Sequence, residues 1–264
     1  NTKTVSLVVN SIPTLTATSN PTIICSGASA TLTGTGASTY TWNPGALTGA
    51  TIAVTPTATI IYSVVGTSTA GCSSSTRTLN LTVTPIPTVN AVSNPTTICA
   101  GSSATLTGSG ATSYTWNPGA LTGTTTVVSP TITTTYTVIG ASGSCTNTTN
   151  VTLTVNALPT LTATSNPTAV CAGSSATLTG TGASTYTWNP GALTGSTVAV
   201  TPTATTVYSV TGTSATGCTN TRTVTLTVSN PTVNAVASPT AICAGSSATL
   251  TGSGATTYTW NPDP

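Results

Sequence analysis

Apolar and hydroxyl-bearing residues alternate along most of this chain with a period of two. That spacing puts one residue on a core face and the next in solvent, as in a half-buried strand. Ala30 and Leu32 fall on one face of a segment, with Thr31 and Thr33 on the other. Tyr40 and Trp42 share a face of the next segment, which the turn residues Asn43, Pro44 and Gly45 close. Leu15 and Ala17 open an earlier segment. Ile52 with Val54, then Ile60, Tyr62 and Val64, then Leu79, Leu81 and Val83 mark three later ones. No segment carries helical spacing. Six or seven short strands with turn signals at roughly ten-residue intervals predict an all-β fold, an antiparallel β-sandwich. Apolar-in, threonine-out alternation fits sheets with one wet face.

The pattern itself repeats. Cys25 is followed 17 residues later by Trp42, and the same step separates Cys99 from Trp116, Cys171 from Trp188 and Cys243 from Trp260. Successive copies lie 74, 72 and 72 residues apart, the signature of a tandem array. Residues 1–12 match the last strand of a preceding repeat, because residues 3–9 align with residues 77–83. Complete repeats then span 13–86, 87–158 and 159–230, and the first part of a further one covers 231–264. The chain reads as a stretch of a longer array. Its joints, such as Thr84-Pro85-Ile86-Pro87 and Asn156-Ala157-Leu158-Pro159, are short and carry proline, which favours extended, stiff spacing.

Charge changes the picture more than any motif. Lys3, Arg77, Arg222 and Asp263 are the only charged side chains in 264 residues, and histidine is absent. Disorder is a poor fit, because disordered tracts are usually charged and poor in β-branched residues. Three scattered cations make no basic face for phosphates, so no nucleic-acid partner is expected. No run of 18 apolar residues marks a membrane-spanning helix.

The chemical inventory also argues against an enzyme. General acid–base work needs a titratable side chain placed with a partner, and a serine nucleophile needs an activating base. Calcium sites need several carboxylates. The Gly/Ser clusters lack the lysine of a phosphate loop and read as turns. The expectation is no catalytic residue, no cofactor and no metal.

Seven cysteines remain. Each complete repeat holds two, 46 or 47 residues apart. Even pairing per repeat predicts disulfides Cys25–Cys72, Cys99–Cys145 and Cys171–Cys218, with Cys243 pairing beyond residue 264, and an oxidising, extracellular setting. Reduced thiols in a cytosolic protein are the alternative. Zinc is disfavoured by the lack of histidine and of a C-x-x-C pair.

The run Ile-Cys-Ala-Gly-Ser-Ser-Ala-Thr-Leu-Thr-Gly-Ser-Gly-Ala-Thr-Ser-Tyr-Thr-Trp-Asn-Pro-Gly from Ile98 to Gly119, with Gly71-Cys72-Ser73-Ser74-Ser75, carries a resemblance. It resembles the immunoglobulin-like and PKD-like repeats of large secreted surface proteins of the Bacteroidota. The resemblance implies tandem immunoglobulin-like sandwiches in a cell-surface adhesin or filament, often exported by the type IX system and sometimes linked to gliding. Many relatives carry acidic residues and this chain has almost none, so a calcium role does not carry over. Trp42, Trp116, Trp188 and Trp260 are either sugar-stacking platforms or core residues of the third strand. One tryptophan per repeat at a fixed distance from cysteine favours the core. Tyr62, Tyr136 and Tyr208 are likewise core or corner residues.

The sequence is best read as an extracellular stalk or filament segment without catalysis. The rivals are a polysaccharide-binding or ice-binding module and an accessory region of a secreted enzyme. Sheet edges without lysine and a surface without charge lack the usual barriers to association, so lateral self-association or a glycan coat is expected. With so few titrating groups, the unfolding temperature measured by calorimetry should be unmoved by EDTA. It should also be nearly flat between about pH 5 and pH 9.

Overall fold

A computed structural model describes residues 1–261; Asp263 lies outside them. Among the described residues there is no helix. The alternating segments of the first repeat form strands: β1 (Thr16–Asn20), β2 (Ile23–Cys25), β3 (Ala30–Thr35), β4 (Thr39–Asn43), β5 (Leu47–Thr48), β6 (Thr51–Val54), β7 (Ile60–Thr67) and β8 (Arg77–Thr84). One sheet has the order β1-β3-β6 and the other β2-β8-β7-β4-β5. Two such sheets face to face make an immunoglobulin-like sandwich. The same strands in the same order recur over residues 90–156 and 162–229. The fold is therefore all-β, a tandem series of immunoglobulin-like sandwiches. By compactness the chain divides into residues 1–155, which hold two sandwiches, and residues from 156 on, which hold one sandwich and a two-stranded sheet.

Alternation does not mark β2 and β5, which are too short to show a period. β2 also departs from antiparallel pairing: it lies parallel to β8, with Ile23 opposite Thr82 and Cys25 opposite Thr84. The chain leaves β1 at Asn20, turns through Pro21 and Thr22, and joins the other sheet. Cys25 thereby comes to rest beside the last residue of the repeat's closing strand.

Each sandwich has its own core. Leu15, Leu32, Trp42, Val64 and Leu81 in the first repeat correspond to Val89, Leu106, Trp116, Val138 and Leu153 in the second. In the third they correspond to Leu161, Leu178, Trp188, Val210 and Leu226. Trp42 is fully buried, and its indole N–H donates to the Gly49 carbonyl at 3.0 Å. The Tyr40 hydroxyl donates to the Ala37 carbonyl at 2.8 Å and accepts from the Ala37 N–H at 2.9 Å, pinning the turn between β3 and β4. Its ring lies across the backbone of Gly34, where a Cβ would stand 2.7 Å from Tyr40 Cδ1. Any larger residue there pushes the ring out of the core. Outward-facing threonines pair across strands, as Thr16 does with Thr35 at 2.6 Å.

The core role expected of Trp260 does not hold. It is 44% exposed. Among the described residues from 231 on, only Asn234–Ser238 and Thr249–Ser253 pair, and no second sheet covers the indole.

Tyr62 and Tyr136 are buried, and burial pushes both phenols above the ordinary value of 10.0. The folded phenol holds its proton to higher pH than the unfolded one. Its stabilising contribution is therefore complete below the unfolded value and is lost as pH rises through the folded one. Unfolding temperatures followed by circular dichroism should fall above about pH 10, and Tyr62→Phe with Tyr136→Phe should make that fall shallower.

Candidate functional site

Cysteine pairing differs from the expectation. Cys25 is bonded to Cys145, 120 residues away in the second repeat, with Cα atoms 5.5 Å apart. The pairs Cys25–Cys72, Cys99–Cys145 and Cys171–Cys218 do not form. Cys72 and Cys171 are free thiols, as is Cys243, while Cys99 and Cys218 are disulfide-bonded. The reason is position along the strand axis. Cys72 precedes β8, and Cys25 sits beside its last residue, Thr84. The 8 residues of β8 at about 3.3 Å each put roughly 25 Å between the two ends. A disulfide needs Cα atoms within about 7 Å. The two cysteines of one repeat occupy opposite ends of the sandwich, whereas Cys145 lies at the end of the second sandwich that meets the first.

The joint is built from backbone geometry. The Ser26 N–H donates to the Thr84 carbonyl at 3.0 Å, and the Gly27 N–H to the Pro56 carbonyl at 3.0 Å. Gly27 has a φ of 77°, a left-handed turn that suits glycine. On the other side, Cys145 Sγ lies 3.7 Å from the Thr84 carbonyl oxygen, and the side chain is buried. The Asn147 amide donates to the Pro87 carbonyl at 2.9 Å. The linker from Thr84 to Pro87 is thus held at both ends, at Thr84 by the Ser26 N–H and the Cys145 sulfur and at Pro87 by the Asn147 amide.

A matching seat occurs in the second compact unit. There Cys218 Sγ lies 3.8 Å from the Asn156 carbonyl oxygen, and the Asn220 amide donates to the Pro159 carbonyl at 3.0 Å. Sequence reasoning missed Asn147 and Asn220. Their signal is placement two residues after Cys145 and Cys218. Two of the cations brace the incoming chain as well: Arg77 Nε donates to the Leu15 carbonyl at 3.0 Å, and Arg222 Nε to the Leu161 carbonyl at 3.4 Å.

Trp42, Trp116 and Trp188 are sealed in their cores and offer no face to a sugar. Tyr62, Tyr136 and Tyr208 are buried too. Among the described residues no cluster of three or more His, Cys, Asp or Glu side chains forms. Among the described residues no helix is long and apolar enough to cross a membrane. Among the described residues, the reactive chemistry brought together is that of sulfur at the joint between the first and second repeats.

No family model and no curated protein sequence matches the chain. Among solved structures it is similar to a Ca2+-stabilized adhesin with which an Antarctic bacterium binds ice, at 17% identity, covering 83% of this chain and 74% of that one, with a TM-score of 0.35. It is also similar to an I-band fragment of titin, at 12% identity over 84% and 100% of the two chains, with a TM-score of 0.41. An ICAM-5 ectodomain fragment shares 15% identity over 81% and 76%, with a TM-score of 0.42. Likenesses of this size carry no functional argument.

In the 264-residue chain, Cys25→Ser, Cys145→Ser and the double variant should lose equal stability, about 2–5 kcal/mol. Cys72→Ser should lose little. Urea unfolding of the four variants checks this; an equal loss with Cys72→Ser would restore pairing within the repeat.

Proposed function

We propose that this chain is a load-bearing spacer of an extracellular surface adhesin or fibre, with the repeats 13–86, 87–158 and 159–230 as its mechanical units. One observation carries the reading: a disulfide crosses the joint between the first and second repeats. A bond within one repeat would stabilise that repeat alone. A bond between repeats gives tension a covalent route past the linker and past most of both folded units. It also stiffens the joint, which a stalk needs and an independent binding module does not.

The secreted setting follows from the disulfides, which persist in oxidising compartments. Resemblance to Bacteroidota surface repeats supports export by the type IX system. Near-absence of charge supports lateral packing of stalks, because nothing repels a neighbouring copy and no ion pair makes the contact salt-sensitive. No catalytic role is assigned. A polysaccharide or ice ligand would have to be held by outward threonines, since the tryptophans of the three complete sandwiches are buried.

Single-molecule stretching tests the load-bearing role. In a Cys99→Ser, Cys218→Ser background, the oxidised chain should extend less than the reduced chain. The bond shields 120 residues, so the difference should be about 400 Å at the reach of an extended chain. Equal contour lengths would overturn the reading.

A further inference from the structure

Cys72 and Cys171 are free, yet each sits in a frame that elsewhere in this chain holds a disulfide. The Cys72 N–H donates to Ser68 Oγ at 3.1 Å, the Ser68 N–H to the Cys72 carbonyl at 2.9 Å, and the Gly71 N–H to the Ser68 carbonyl at 3.0 Å. Its Sγ lies 3.8 Å from the Asn10 carbonyl oxygen. Around Cys218, which is disulfide-bonded, the same four distances are 3.1, 2.8, 3.0 and 3.8 Å, with Ser214, Gly217 and Asn156 in the corresponding places.

Cys171 copies the other half. It lies opposite Ser229 in parallel register, as Cys25 lies opposite Thr84. The Gly173 N–H donates to the Pro202 carbonyl at 2.9 Å and the Ser174 N–H to the Cys171 carbonyl at 3.0 Å. The corresponding bonds around Cys25 are 3.0 and 2.9 Å. The φ of Gly173 is 75° against 77° for Gly27.

We infer that Cys72 and Cys171 are complementary half-sites for further inter-repeat disulfides. Cys72 takes the thiol of a cysteine placed like Cys25, and Cys171 that of a cysteine placed like Cys145, each from an adjoining repeat of this same type. Recognition is asymmetric. A cysteine of the Cys25 kind lies in a short strand beside the closing strand, and one of the Cys145 kind projects onto that strand's terminal carbonyl. Two cysteines of one kind do not fit together. In each reaction two S–H bonds break and one S–S bond forms. Two protons and two electrons pass to the disulfide of a thiol–disulfide oxidoreductase, which leaves as a dithiol. The consequence is that the joints these two cysteines face are stapled as the first joint is, whether the adjoining repeat belongs to the same chain or to a second copy. The inference shares with the stalk reading the oxidising setting and the Cys25–Cys145 bond.

Disulfide mapping of the protein from its producing cells tests it. The protein is acid-quenched, alkylated and digested without reduction. Elastase is used because three Lys and Arg residues give trypsin too few sites. Cys72 should be recovered bonded to a peptide whose cysteine stands two residues before glycine, as in Cys25-Ser26-Gly27. Cys171 should be bonded to one whose cysteine is followed by Ser or Thr and then by Ser or Asn, as in Cys72-Ser73-Ser74 and Cys145-Thr146-Asn147. Almost no alkylated thiol should remain at either. Non-reducing electrophoresis of the undigested protein assigns the partner to the same chain where the band keeps the mass of one chain, and to a second copy where it does not. Cys72→Ser should leave its partner alkylated and Cys25–Cys145 intact. Recovery of Cys72 or Cys171 alkylated, capped by a small thiol or bonded to its own kind, beside an intact Cys25–Cys145, overturns this inference and leaves the stalk reading standing. Loss of Cys25–Cys145 itself overturns both.

Discussion

The terminal carbonyl of the closing strand is the point on which the joint depends. β8 is hydrogen-bonded between β7 and β2, and its inward residues Leu81 and Val83 belong to the core. Its end is therefore as fixed as the sandwich itself. Thr84 then receives Ser26 from one side and Cys145 from the other. Two sulfur atoms on different repeats are brought together because both are referenced to the same strand end. A linker of two residues between Thr84 and Pro87 leaves little room for another arrangement.

This placement suits repeats of this size. A unit of some seventy residues buries a modest core and gains from a covalent constraint. A disulfide within one unit would remove unfolded-state entropy from that unit alone. The observed bond encloses 120 residues and spans parts of two cores, so the constraint is shared between neighbours. Tryptophan and tyrosine supply the local order beneath it. The indole ties β4 to the turn after β5, and the Tyr40 hydroxyl closes the turn before β4.

The scarcity of charge has a structural counterpart. Arg77 and Arg222 brace backbone carbonyls where the chain enters a sandwich. The surface is hydrated by threonine and serine hydroxyls instead, and some of these pair across strands. Hydroxyls satisfy the outer face without setting up long-range fields. Contacts between copies are then decided by shape and short-range hydrogen bonding.

Much of the fold was legible in the sequence. Alternation reports which face of a strand a residue occupies, so Leu32, Trp42, Tyr62, Val64 and Leu81 could be placed in the core from their spacing alone. The fixed step from cysteine to tryptophan likewise revealed the repeat. Alternation is silent about position along the strand axis and about which strand lies alongside. That is why β2 and its parallel pairing with β8 were hidden, and why Cys25 and Cys72 looked like partners although they stand at opposite ends of one sandwich. Trp260 makes the same point: its spacing matches Trp42, but burial requires a second sheet over the indole. By itself the sequence determined the strands, the repeat and the inward faces, because these follow from periodicities of two and about seventy. Only the tertiary structure decided which sulfur meets which, because that depends on where each strand ends and on the sandwich that follows it.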